Sequence, residues 1–176
     1  MNLLFVNFET DRLFDLKLPV GHVDQARMSA CSMLRVVDDG ADPGVNGSSA
    51  FLVDSVSEAL RSIAPPLVWA DRVVMFGSVY HTGVYEEEVA RMEYKSWLCK
   101  PTVCLQELTV SWLGDQWKSA RISRDDAYRL TAGQQGEQLW MTGVPHWITK
   151  PWIDWRIWNR VGRFDRSGIR LNEPVG

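Results

Sequence analysis

Residues 3–18 read LLFVNFETDRLFDLKL. Leu3 to Phe8 is an apolar run that predicts a strand, and Glu9-Thr10-Asp11 is polar and turn-like. From Leu13 to Leu18 the residues alternate, Phe14, Leu16 and Leu18 against Asp15 and Lys17. That is the period-two pattern of a half-buried strand. Together the two runs predict an N-terminal hairpin. The remainder mixes strands and helices without regular β–α–β alternation. This favours an α+β fold, a single domain around a mixed, mainly antiparallel sheet with a few short helices.

Working outward, Pro19-Val20-Gly21 breaks the pattern. Val23, Ala26, Ala30, Met33 and Val37 then recur at helical spacing, although Met33 to Val37 also reads as a strand. Asp38 to Ser49, DDGADPGVNGSS, has the turn chemistry of a surface loop. Ser55 and Glu58 form a capping-box pattern ahead of an apolar face made by Val56, Ala59, Leu60 and Ile63, and Pro65-Pro66 predicts the end of that helix. Val73 to Phe76 reads as a buried strand. Ala90 to Leu98 and Thr102 to Leu113 both alternate and read as strands, Ser123 caps a short helix that Gly133 would end, and Glu137 to Thr142 is a further candidate strand. Trp152 to Val161 predicts a helix with Pro151 near its start and Gly162 at its end. Residues 1–146 are accordingly read as the globular domain and 147–176 as a Trp/Arg-rich C-terminal docking segment and tail.

Composition narrows the function. The chain has 176 residues, 45% hydrophobic and 23% charged, which suits one folded domain. The net charge of -3 argues against a surface that binds polyanions throughout. The charge is uneven. Residues 1–66 carry 5 basic and 9 acidic side chains, whereas residues 147–176 carry 6 basic and 3 acidic. No long uncharged apolar stretch reads as a membrane span, and Met1 to Phe8 lacks the basic start of a secretory signal, so the expected compartment is the cytoplasm. The three cysteines, Cys31, Cys99 and Cys104, are an odd number that suits reduced thiols.

Chemical motifs are sparse. Cys99 and Cys104 have a zinc-compatible spacing, but no second ligand pair accompanies them. Asp42, Asn46 and Gly47 match three positions of a calcium loop, which fails at Gly44 and Val53. Glu86-Glu87-Glu88 reads as a solvated face. No nucleotide-binding glycine motif is present, so no cofactor is expected. A thiol hydrolase would need Cys104 or Cys99 beside His81 or His146 and a carboxylate.

The unusual feature is tryptophan, nine in 176 residues. Trp147, Trp152, Trp155 and Trp158 interleave with Lys150, Arg156, Arg160 and Arg163. Trp and Arg are the favoured anchors of protein interfaces. The segment therefore reads first as a docking element of a non-enzymatic binding or assembly subunit, for a protein partner or another copy of the chain, whether as part of a larger complex or as a small inhibitor or immunity-type binder. Base stacking with single-stranded nucleic acid, lying in a membrane interface and packing on its own domain are the competing readings, and the small hydrolase is the alternative function. Elemental analysis of purified protein is expected to find far less than one zinc per chain. A stoichiometric zinc would make Cys99 and Cys104 ligands after all.

Overall fold

Six consecutive residues, Leu3 to Phe8, are buried in the first strand, β1 (Asn2–Thr10). The computed structural model describes residues 1–39, 43–96, 98–131 and 143–165, with side chains to residue 162. β1 pairs antiparallel with β2 (Met28–Val37), and β2 pairs antiparallel with β3 (Gly44–Leu52). On its other side β1 pairs parallel with β4 (Arg72–Met75), which pairs parallel with β5 (Thr102–Cys104). The sheet order is β3-β2-β1-β4-β5.

Helices cover both faces of this mixed sheet, and the whole forms one α+β domain. α1 (Val56–Trp69) and α2 (Ser78–Arg91) lie on one face, where Leu60, Ile63, Leu67, Val84 and Tyr85 meet Leu4, Val6 and Phe8. α3 (Leu105–Leu113), α4 (Arg124–Thr131) and α5 (His146–Asp165) lie on the other, where Leu105, Ala127, Ile153 and Ile157 meet Leu3, Phe5 and Leu34. Among the described residues no helix is long and apolar enough to cross a membrane.

Two predicted caps are present. Ser55 Oγ accepts from the Glu58 amide at 3.4 Å, and Ser123 Oγ accepts from the Asp126 amide at 3.0 Å. The buried strand at Val73 to Phe76 is β4 with its flanking Phe76.

Several expectations are corrected. The N-terminal hairpin does not form, because residues 11–27 close on themselves. The Gln25 side chain donates to the Asp15 carbonyl and accepts from the Asp15 amide, at 2.6 and 3.0 Å. Phe14 turns inward against Tyr80, while Leu13 is 91% exposed. The helical reading of Val23 to Val37 gives way to β2, which is buried on both faces and so shows no alternation. The loop expected over Asp38 to Ser49 becomes strand from Gly44 onward; an edge strand with seven of its nine residues exposed tolerates Gly, Asn and Ser. Asp42 lies outside the described residues, as do Trp97, Gly133 and the candidate strand at 137–142.

α1 runs through Pro65 and Pro66 to Trp69. The carbonyls these prolines leave unbonded belong to Arg61 and Ser62, both exposed, where water can serve them. The run expected as a strand from Ala90 is instead the end of α2 followed by a turn, in which Glu93 adopts φ 54°. Thr102 to Leu113 is strand only to Cys104. Beyond it Leu105, Thr109 and Leu113 are buried at i, i+4, i+8, the helical period.

The three glutamates are not a uniformly solvated face. Glu87 and Glu88 are buried. Glu88 receives the Arg27 guanidinium and the Met28 amide, and Glu87 pairs with Arg91 and accepts from the Gly21 amide. The pair staples residues 11–27 to α2.

α5 begins at the position where the C-terminal segment was expected, and it packs on its own sheet. Trp158 is 5% exposed, edge-on to Phe5 with ring centroids 6.2 Å apart. The helix does not end at Gly162. A Cβ there would lie 2.5 Å from the Trp158 ring, so glycine is what lets that indole lie along the helix. Trp158→Ala should therefore lower unfolding stability by roughly 3–5 kcal/mol, measured by denaturant titration. A loss below about 1 kcal/mol would show that the indole is not a core residue.

Candidate functional site

α5 is attached to the sheet through its own proline. Pro151 has no N–H, so the carbonyl of Trp147, four residues earlier, gains no helical donor. Ser32, buried in β2, supplies one: its hydroxyl donates to that carbonyl at 2.7 Å. One turn later lies Asp154, wholly buried in the otherwise apolar inner stripe of Ile153, Ile157 and Val161.

Asp154 belongs to a cluster that ties three elements together. Arg124, at the start of α4, donates through Nε and Nη2 to its two carboxylate oxygens, at 2.7 and 3.3 Å. The same guanidinium lies 5.0 Å from the centre of the Phe76 ring. Its Nη2 also reaches Asn7 Oδ1 on β1 at 3.4 Å, and Asn7 Nδ2 donates to Glu9 Oε1 at 2.7 Å. Lys150 of α5 closes the chain with a hydrogen bond to Glu9. Two carboxylates thus face two cations, and the cluster is neutral overall.

The environment sets the protonation of its members. Burial pushes the Asp154 carboxyl up, against the pull of Arg124. Burial also acts to raise Glu9, but the hydrogen bonds from Lys150 and Asn7 outweigh it and hold that carboxyl below its usual value. His81, next to the cluster, is pushed down to about 3 by burial and by the positive charges of Arg124 and Lys150. Its Nδ1 accepts from the Phe8 amide at 3.2 Å, which requires the unprotonated nitrogen.

A crevice of about 340 Å³ opens beyond the carboxyl ends of β4 and β5. Gly77, Ser78, Cys104, Glu107 and Arg121 are among its lining residues. Cys104 occupies the N-cap position of α3. Neither His81 nor His146 lines this crevice: His81 is in the core and His146 is exposed at the start of α5. Cys99 is exposed and Cys31 is buried, with its thiol pushed up by burial. Among the described residues no three His, Cys, Asp or Glu side chains gather in a metal-binding arrangement.

The seven residues expected to dock are divided by the helix. Trp158 faces the core. Trp152 and Trp155 are half-buried, packed against the margin of the same core, with their rings 75° apart in plane and their centroids 5.9 Å apart. Arg156 is exposed, its guanidinium 5.6 Å from the centre of the Trp155 ring, and Arg160 is exposed one turn further on. Trp147 is half-buried at the helix start, and the side chain of Arg163 lies outside the described residues. The cluster of Asn7, Glu9, Arg124, Lys150 and Asp154 was not anticipated. Its signal in the sequence was Asp154, a charge inside an apolar stripe at helical spacing. No protein-family model and no curated protein matches the chain.

The sign of the pH dependence follows from these shifts. Between pH 6.5 and about 3 the unfolded chain carries a proton on His81 that the folded chain does not. The stability that His81 contributes is therefore complete above pH 6.5 and is lost as the pH falls through that window. Glu9, also lowered, acts in the same direction at lower pH, and Asp154, raised, acts against it. His81→Gln keeps an acceptor for the Phe8 amide and should flatten the fall in melting temperature between pH 6.5 and 4. An unchanged slope would show that His81 can take up its proton in the folded state.

Proposed function

We propose that the protein is a non-enzymatic binding or assembly subunit, acting in the cytoplasm, that docks on a protein partner or on another copy of itself through the outer side of α5. The observation that carries this reading is the group Trp152, Trp155 and Arg156. Two large rings and a guanidinium are held in mutual contact on a helix whose inner side is locked to the sheet. Such rigid aromatic and Arg groups are the residue types on which interface energy concentrates.

The competing readings have less support. Lys150 and Arg124 are engaged with Glu9 and Asp154, which leaves a smaller positive field for a nucleic-acid backbone than the sequence count implies. A hydrolase built on Cys104 would need a base in its crevice, where Glu107 and Arg121 are present but no histidine is.

The test separates docking from folding. In the double variant Trp152→Ala, Arg156→Ala, loss of the docking face should cost about 2 kcal/mol or more of association. Far-ultraviolet circular dichroism should show an unchanged fold, while light scattering and pull-down from extract should show lost partners or lost mass. Unaltered assembly in a folded double variant would remove the outer side of α5 as the docking site.

A further inference from the structure

Between β1 and β2 the chain leaves the sheet for residues 11–27, which form neither helix nor strand. The two ends of this strap are held to each other. The Asp11 amide donates to the Arg27 carbonyl at 3.0 Å, and the Arg27 amide donates to Asp11 Oδ1 at 2.8 Å. A segment that leaves and returns through one neck, packed by its own side chains, has the form of an Ω-loop. We propose that residues 11–27 are a lid, which swings away from α2 as a unit about that neck and controls entry to the crevice beyond β4 and β5.

α2 receives the strap along one stripe. Tyr80, Gly83, Glu87 and Arg91 follow at i, i+3, i+7 and i+11. Phe14 stands edge-on to Tyr80, with ring centroids 5.9 Å apart. At Gly83 a Cβ would lie 3.1 Å from the Phe14 ring and 3.5 Å from Leu16 Cδ2, so the glycine leaves a seat for both side chains. Further along, Glu87 Oε2 accepts from the Gly21 amide at 2.8 Å, and Arg91 Nη2 donates to the carbonyls of His22 and Gln25 at 3.0 and 3.1 Å. Leu16 and Tyr80 also line the crevice, together with Ser78, Cys104 and Arg121. Lifting Leu16 away removes part of its wall.

The division of contacts makes the strap a movable element. Only Phe14, Gln25 and Ala26 of it are buried, and the Gln25 side chain bonds to Asp15 within the strap itself. Leu13, Leu16, Val20 and Val23 are exposed. So few buried apolar contacts let a segment open at less cost than global unfolding. The charges do not oppose the motion. Glu88 holds the neck through Arg27 and the Met28 amide, and those bonds remain when the strap swings out. Glu87 and Arg91 hold the tip. Once released they keep their own i,i+4 ion pair on α2, so no charge is left alone, and water replaces the backbone groups of the strap. The β1–β2 ladder ends at Thr10 and Met28, outside the neck, and stays paired. α2 and α5 lie on opposite faces of the sheet, so the lid does not rest on docking through α5.

Native-state hydrogen exchange of the full chain tests the lid. The Gly21 and His22 amides should exchange about 100-fold or more faster than those of Leu4 and Val6, with little dependence on low denaturant, as a local opening does. Gly83→Ala fills the seat and favours the helix, so it should speed exchange at Gly21 about tenfold or more while leaving β1 unchanged or slower. In a Cys99→Ser background the same substitution should speed the reaction of Cys104 with a bulky maleimide about fivefold or more, Cys31 being buried. Phe14→Ala removes the same contact from the other side and should act alike, which serves if Gly83→Ala does not fold. Strap amides that exchange in step with β1, and with its denaturant dependence, would overturn the lid. A Cys104 rate that stays constant while exchange at Gly21 rises would overturn its control of the crevice.

Discussion

A strand buried along six residues needs an apolar layer on each face, and β1 is that strand. Leu4, Val6 and Phe8 call for α1 and α2, while Leu3 and Phe5 call for α3, α4 and α5. Its position in the middle of the sheet follows, since β2 and β4 must satisfy both of its edges. The same constraint creates the polar cluster. Asn7 alternates onto the α5 face with Phe5, and a buried amide there costs free energy unless both of its ends are hydrogen-bonded. Arg124 and Glu9 meet that requirement, and their charges in turn call for Asp154 and Lys150.

Such a cluster sets position more than it adds stability. Taking Asp154 and Arg124 from water costs several kcal/mol per ion, which their attraction offsets only in good geometry. Losing one partner would leave the other charge buried and cost about 3–5 kcal/mol. The consequence for α5 is a fixed rotation and a fixed height on the sheet. Asp154 must meet Arg124, Lys150 must meet Glu9, and the Trp147 carbonyl must meet Ser32. An apolar helix face alone would allow it to slide. Trp152 and Trp155, which pack at the margin of the same core, and the exposed Arg156 are thus carried on a helix held in place through its inner side.

What could be read from the sequence depended on burial geometry. Caps are local, so Ser55 and Ser123 were legible from a few residues. Elements with one buried face also declared their period, as Val56, Ala59, Leu60 and Ile63 did. β2 did not, because a strand covered on both faces places apolar residues at every offset, including helical ones. β3 failed for the opposite reason: seven of its nine residues are exposed, so little selects its side chains, and it reads as a loop. The strap at residues 11–27 imitated a strand by chance, since only Phe14 of its apolar set, Leu13 to Leu18, is fully enclosed. The Trp-rich end was legible as a helix. Which rings face inward was not, because Trp recurs around the helix and the contacts that fix its rotation, Asp154 with Arg124, Lys150 with Glu9 and the Trp147 carbonyl with Ser32, join residues far apart in sequence.

The two ends of the sheet are unlike, and the difference bears on assembly. β5 is three residues long and runs directly into α3, so little free edge is exposed beside β4. β3 presents nine residues without a lysine, a proline or an inward-pointing charge. Its one irregularity, the bulge opposite Arg35 and Val36, twists the strand locally but leaves the six residues from Gly47 to Leu52 in unbroken register. A long neutral edge carries a standing risk of unwanted pairing. Many folds limit that risk with charge, at little cost, since an exposed lysine on an edge strand disturbs no core contact. Here the exposed positions Ser48, Ser49 and Ala50 are small and uncharged, although nothing in the fold forbids larger or charged residues there. Small neutral side chains on a bare edge permit close approach of another strand, and that is the one structural property they share.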